Sequence, residues 1–251
     1  MDRLNAGAIS VPGVEVRVLE RCASTNSVLL GEALERPVLL AADEQSAGRG
    51  RRGRRGHSPA GCGALFSLGL QLAQPARRLS GLSIVAGVAA VRALRVLGAT
   101  EVALKWPNDI LLRGAKLGGI LVETRARGAG SAAVVGIGVN YREAPGLAAR
   151  LRRGVVALEA CLQPLPSRNA VIGAMAREVL AALRAFDTAG FEPFRGDWDT
   201  LHAYAGKALR VRLADGRVLA GVAAGLAADG ALQLRTRGGL RTVRIGRVAL
   251  A

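Results

Sequence analysis

Apolar residues recur along this chain with two different spacings, and the change from one to the other divides it. Residues 22–35 open on Ser24 and Thr25, side chains suited to capping a helix, and continue with apolar positions at helical spacing. The apolar run in residues 36–45 reads as a buried strand, and alternation over residues 63–72 predicts a second. Residues 80–98 are largely apolar, so a buried helix is expected there, running from a Ser80 cap to Gly98. A meander follows. Residues 101–106 stop at Pro107, 109–112 turn at Arg113 and Gly114, 116–124 turn around Gly128 to Gly130, and 132–141 close it. Short turns between strands mean antiparallel pairing here. Residues 167–186 predict a capped amphipathic helix, and 191–204 lead out of the domain. From Gly206 onward the period is two, with turn signals at Asp215-Gly216, Asp229-Gly230 and Gly238-Gly239. Hairpins without a helix predict a small β-barrel-like unit there. The fold expected is α+β: a mixed, largely antiparallel sheet flanked by helices over residues 1–203, then a small barrel over 204–251.

Composition narrows the partners. Half of the 251 residues are hydrophobic, ample for a core, but only 3% are aromatic, so Leu, Val, Ile and Ala must build it. A net charge of +16 would ordinarily point to nucleic acid or an acidic surface. Its make-up argues otherwise: 32 of the 35 basic residues are Arg, a bias that, with abundant Ala, resembles genome-wide codon usage spread over solvated faces. Lysine occurs only at Lys105, Lys116 and Lys207, and a Lys kept among so many Arg is a candidate for work that needs a compact ammonium. Cys22, Cys62 and Cys161 are odd in number, far apart and outside metal-ligand spacing, which suits a reducing cytoplasm. The first ten residues lack the apolar region of a signal peptide, and the apolar run at 83–91 is too short to span a bilayer. A soluble, cytoplasmic protein is expected.

Between Gly48 and Gly56 the chain holds only four Gly and five Arg. Gly48, Gly50 and Gly53 spell the dinucleotide-binding spacing after a strand, but no apolar helix follows, and no carboxylate lies near residues 71–74. No Walker A pattern occurs anywhere. As a solvated loop, five mutually repelling Arg would gain nothing. As a nucleic-acid arm the stretch lacks stacking rings, since no aromatic precedes Phe66. As an anion cradle it makes sense, because Gly lets backbone N–H groups approach a ligand and Arg forks grip phosphate oxygens.

Further residues gather by type. Lys105, Asn108 and Asp109 flank Pro107 at a strand end, where turn chemistry alone would also explain the Asn and Asp. Lys116 begins a strand containing Gly118 and Gly119, and Gly136, Gly138 and Asn140 repeat that pattern in the next. Paired glycines weaken a strand unless a ligand or another backbone must come close. Only His57 and His202 are available for a Ser-His-Asp triad, and neither neighbourhood resembles a nucleophile elbow; zinc ligands are also wanting. Reaction at a phosphate, run by alignment and electrostatics, remains.

Taken in order, "STN", "Q..AGRGRRGR", "KWPND", "KLGGILVE" and "GIGVN" resemble the biotin protein ligase family across nearly the whole chain. The resemblance implies a class II synthetase-like catalytic domain with a C-terminal SH3-like barrel. It implies attack of the biotin carboxylate on the α-phosphate of ATP, with Mg²⁺, and transfer from biotinyl-5′-AMP to a lysine of a carboxylase carrier domain. Ser24, Thr25, Asn26, Gln45, Arg49, Gly50, Arg51, Lys116 and Gly119 would then contact biotin. Arg49, Arg51, Arg52, Arg54, Lys105, Asn108 and Asn140 would contact ATP or the adenylate. Lys116, Arg51, Asp109 and Lys105 would carry the catalysis, with Arg51 retaining the intermediate and Lys116 holding the biotin carboxyl oxygen and the α-phosphate. No permanent metal site is implied, the Mg²⁺ coming with ATP near Asp109. Where the family commonly has an aromatic residue, this chain has Gly56, which puts the ordering of the loop in question. Only some twenty residues precede Ser24, leaving no room for a DNA-binding domain, so no operator binding is expected; a homodimer is left open. The rivals are a lipoate protein ligase and, from another class, a basic nucleic-acid-binding protein.

Overall fold

The computed structural model describes residues 2–53, 58–144 and 154–251, with Arg52 described in its backbone alone. Seven strands form the main sheet: β1 (Glu15–Cys22), β2 (Val38–Gln45), β3 (Gly63–Leu72), β4 (Val102–Lys105), β5 (Asp109–Leu112), β6 (Ala115–Arg127) and β7 (Gly130–Asn140). Their spatial order is β1-β2-β3-β7-β6-β5-β4, with β1 and β2 parallel and every other pair antiparallel. The meander is thus present as expected. Strand β1, unforeseen from the sequence, lies at the edge, where its partly exposed residues blur the apolar alternation.

Period two sorts the side chains of this sheet onto two faces. Leu39 and Ala41 of β2, Phe66, Leu68 and Leu70 of β3, and Val135, Ile137 and Val139 of β7 point into the main core. That core is completed by α2 (Leu82–Val96) and α3 (Arg168–Ala189), which pack on each other. The alternate residues Val38, Leu40, Ala132 and Val134 form a second, smaller core with Leu29 and Leu34 under α1 (Thr25–Leu30). Two helix starts differ in kind. Ser167 caps α3 as expected, its hydroxyl accepting from the Ala170 N–H. The Ser80 cap is corrected: Gly81, at φ +89°, occupies the cap of α2, a backbone conformation open to Gly at no steric cost.

Residues 191–204 are more than a lead-out, since α4 (Arg195–Leu201) lies there and buries Trp198. The C-terminal unit holds β8 (Ala208–Arg212), β9 (Val218–Leu226), β10 (Leu232–Thr236), β11 (Gly239–Val243) and β12 (Arg247–Leu250). All pair antiparallel in the order β11-β10-β9-β8-β12. This corrects the expected barrel: β11 and β12 end the sheet instead of closing it. Leu209, Val211, Leu232, Leu234 and Val248 join the main core, which makes closure on a private interior unnecessary. At the junction the indole N–H of Trp106 donates to the Gly230 carbonyl at 3.1 Å.

Candidate functional site

The register places the sequence-predicted residues in rows on the face opposite α2 and α3. Directly paired residues share a face. One row runs Lys105, Asp109, Gly119, Gly138, Leu65, Ala42; the next runs Leu121, Gly136, Ser67, Leu40; the third begins at Glu123. Strict alternation would put Lys116 on the other face from Gly119. A bulge prevents that. Ile110 pairs with Gly118 and Leu111 with Lys116, so Leu117 is the extra residue; it sinks into the main core and Lys116 turns to the site face. There its ammonium makes an ion pair with the Asp109 carboxylate.

The two adjacent glycines of this strand answer different needs. A Cβ at Gly118 would lie 2.5 Å from the Gly138 carbonyl oxygen, so that Gly admits the neighbouring strand. A Cβ at Gly119 would point at Lys116 Nζ, 3.5 Å away, and at Asp109, so that Gly keeps the site floor open. The Asn108 amide donates to the Ile120 carbonyl at 2.8 Å while the Ile120 N–H donates to the Asn108 carbonyl, which ties the turn carrying Asp109 to β6. Asn140 is committed to backbone: its amide donates to the carbonyls of Val156, at 3.0 Å, and Lys116, at 3.3 Å. It anchors the chain after residue 153 beside Lys116.

Over the second and third rows sits a polar cluster from the start of α1. Ser24, Thr25 and Asn26 are buried. The Thr25 N–H donates to Gln45 Oε1 at 2.9 Å, and Ser67 Oγ lies 2.6 Å from Asn26 Oδ1 and 2.7 Å from Thr25 Oγ1. The amide oxygen of Asn26 can only accept, so Ser67 donates to it and the Thr25 hydroxyl is free to donate to Ser67 or Gln45. The Asn26 amide nitrogen donates to the Leu121 carbonyl and to Glu123 Oε2, at 3.1 and 3.0 Å. Glu123 Oε1 in turn pairs with Arg49 at 2.9 Å. Glu123 carries no role in the sequence reading, although it ends the "KLGGILVE" motif. A carboxylate three-quarters of the way along a strand has no local signature, and its link between Asn26 and Arg49 comes from the fold.

Arg49 also reaches Ser27, and Gly50 follows it at the root of the Gly/Arg stretch. Arg51 opens a short 3-10 turn, Arg51–Gly53, and lines a cavity of about 370 Å³ with Ser80, Ser83, Trp106, Pro107 and Gly230. The cavity borders the polar cluster through Leu121 and does not contain it. Arg54, Gly56 and the side chain of Arg52 lie outside the described residues. On the far side of Asp109, Lys105 and Lys207 both approach the ring of Tyr204, at 5.7 and 5.8 Å from its centroid. Burial first, and then the Asp109 charge, push the Tyr204 hydroxyl above the usual phenol value. Among the described residues no three His, Cys, Asp or Glu side chains gather as metal ligands. Nor is any helix among them long and apolar enough to cross a membrane.

Comparison with known proteins is consistent along the chain. Residues 18–140 match the Biotin/lipoate A/B protein ligase family, and residues 205–250 match the Biotin protein ligase C terminal domain. The Bifunctional ligase/repressor BirA of Escherichia coli (strain K12) is 34% identical over 253 aligned positions, covering 98% of this chain and 78% of that protein. The biotin–[acetyl-CoA-carboxylase] ligase of Paracoccus denitrificans is 35% identical, covering 90% of this chain and 96% of its own. Among solved structures, the biotin protein ligase from Aquifex aeolicus in complex with biotin and ATP superposes with a TM-score of 0.79. It is 26% identical and covers 94% of this chain and 98% of its own.

Proposed function

Since the chain belongs to the biotin protein ligase family, we propose that it joins biotin to a lysine of a carboxylase carrier domain by way of biotinyl-5′-AMP. The observation that carries this reading is the bulge at Leu117, which sets Lys116 beside Asp109 on the same face as the Thr25, Asn26 and Gln45 cluster. Buried amides and hydroxyls of that kind suit the polar ring of biotin. Lys116, a point charge on β6, the strand whose Leu121 carbonyl and Glu123 carboxylate accept from the Asn26 amide, suits its carboxylate and the α-phosphate.

In the first step a biotin carboxylate oxygen bonds to the α-phosphorus of ATP. The bond from that phosphorus to the bridging oxygen breaks, and diphosphate leaves with the electron pair. Magnesium enters as part of the ATP substrate. In the second step the carrier amine attacks the acyl carbon, AMP departs with the C–O electrons, and the nitrogen sheds a proton. Asp109 is the carboxylate of this face suited to receive it. No side chain of this protein has to become a covalent intermediate, in keeping with catalysis by alignment and charge. ATP as substrate and a carrier domain as acceptor fit a cytoplasmic enzyme, with the catalytic unit ending at residue 203.

Biotin-dependent exchange of diphosphate into ATP tests the first step, and labelling of a purified carrier domain tests the second. Lys116→Ala is expected to lower exchange by about a hundredfold, the scale of losing one charged contact to the reacting groups. Arg51→Ala is expected to keep exchange but release adenylate, labelling bystander lysines. Exchange that required lipoate in place of biotin would reverse the substrate assignment. Wild-type rates and selectivity in both variants would overturn the site.

A further inference from the structure

Glu123 stands on β6 between two donors. Its Oε2 accepts from the Asn26 amide at 3.0 Å, and its Oε1 pairs with the Arg49 guanidinium at 2.9 Å. The carboxylate is largely buried, its side chain 19% exposed against 49% for Arg49. Arg49 also donates to Ser27 Oγ at 3.3 Å, so its guanidinium ties α1 to β6 one residue after Asn26.

The donors on either side call for a carboxylate here. A guanidinium only donates, and an amide nitrogen only donates, so the group between them has to accept on both sides. A Gln side chain in that place would turn its own NH₂ toward one of the two. The requirement passes on to Asn26. Both of its amide hydrogens are taken, by the Leu121 carbonyl and by Glu123, and its Oδ1 accepts from Ser67, which leaves one lone pair over. Reversing the amide would set its oxygen against the Leu121 carbonyl and the Glu123 carboxylate, two groups that cannot donate. Of those two, only Glu123 is a side chain, and so only it is open to substitution.

We propose that Glu123 is a positioning residue for biotin: held by Arg49 at Oε1, it fixes the Asn26 amide so that the buried cluster presents an acceptor to an N–H of the substrate ring. This rests on the ligase reading above and adds to it the residue that sets the hydrogen-bonding direction of the pocket. Glu123 touches no reacting atom, and its effect on the substrate runs through Asn26.

The test is steady-state exchange of diphosphate into ATP with wild type, Glu123→Gln, Asn26→Ala and the double variant, varying biotin and ATP in turn. Glu123→Gln is expected to raise KM for biotin about tenfold, the scale of losing one charge-assisted contact. Its kcat and its KM for ATP should stay within about threefold, since the contact lies away from the reacting groups. In the Asn26→Ala background the same substitution should add less than about twofold, because no amide remains to be oriented. A Glu123 that merely supported the fold would add its full loss in both backgrounds, so losses that multiply overturn the proposal. A biotin KM for Glu123→Gln within about twofold of wild type overturns it as well, as does a loss confined to kcat or to KM for ATP. Equal urea midpoints show that folding is not the cause of any difference. Should Glu123→Gln not fold, Glu123→Met fills similar space without a hydrogen-bonding oxygen or nitrogen and takes its place with the same readouts. If wild type itself exchanges no diphosphate in the presence of biotin, the ligase reading fails and this one with it; biotin-dependent exchange by wild type with multiplying losses sinks only the role of Glu123.

Discussion

At the scale of single residues, the site depends as much on side chains that are missing as on those that are present. A Cβ at Gly136 would run into the Asn26 amide, whose nitrogen is held by Leu121 and Glu123 and whose oxygen is held by Ser67. None of those partners is a flexible surface group, so Gly136→Ala must push Asn26 off its hydrogen bonds. An unpaired buried amide costs about 1–3 kcal/mol. We expect KM for biotin to rise ten- to a hundredfold while KM for ATP changes little, as read by exchange kinetics; a biotin KM within twofold of wild type would refute this account. Asn26 itself was legible in the sequence through its motif. Glu123 was not, because it links Asn26, 97 positions away, to Arg49, 74 positions away, with no local spacing to betray it.

At the scale of elements, the junction helix α4 is capped at its C-terminus by His202, a histidine that folding keeps neutral. His202 is buried, stacked on Trp198 with ring centroids 4.8 Å apart, and bridged through its backbone to Leu104 of β4. Burial first, and the nearby Lys207 charge second, bring its pKa down to about 4 from the ordinary 6.5. Because the folded-state value is the lower one, the unfolded chain binds a proton that the fold excludes between those two values. The stability present above pH 6.5 is therefore lost progressively as pH falls toward 4. Between pH 7 and pH 5 this amounts to about 2 kcal/mol. His202→Leu should lose less stability than wild type over that interval in urea titrations. Parallel losses in the two proteins would mean that His202 is not the group responsible. This element was unread in the sequence for a plain reason: α4 is only seven residues long, too short for a helical period to stand out, and its burial comes from Trp198.

At the scale of the whole molecule, two units share one core, and the joint between them is specific. Trp106 donates to the Gly230 carbonyl, Arg195 donates to the Leu226 carbonyl at 2.5 Å, and a Cβ at Gly230 would come within 2.8 Å of the Gly81 backbone. Trp106→Phe keeps a ring but removes the N–H and part of the volume. We expect about 2 kcal/mol of destabilisation with the urea transition still single, because the units cannot part without exposing their common core. Two separate transitions would show independent folding instead. The apolar periods along the chain were enough to determine the strands of the main sheet from β2 to β7, the two long helices and the all-strand C-terminal unit, because each of those signals is local and repeats. The motifs pointed to the family to which the chain belongs. Only the tertiary structure decided that the C-terminal sheet stays open, since its inner face is covered by the other unit. It alone also decided that Lys116 faces the site, because one extra residue in a strand reverses a side chain's direction, and only the pairing with β5 reveals which residue is extra.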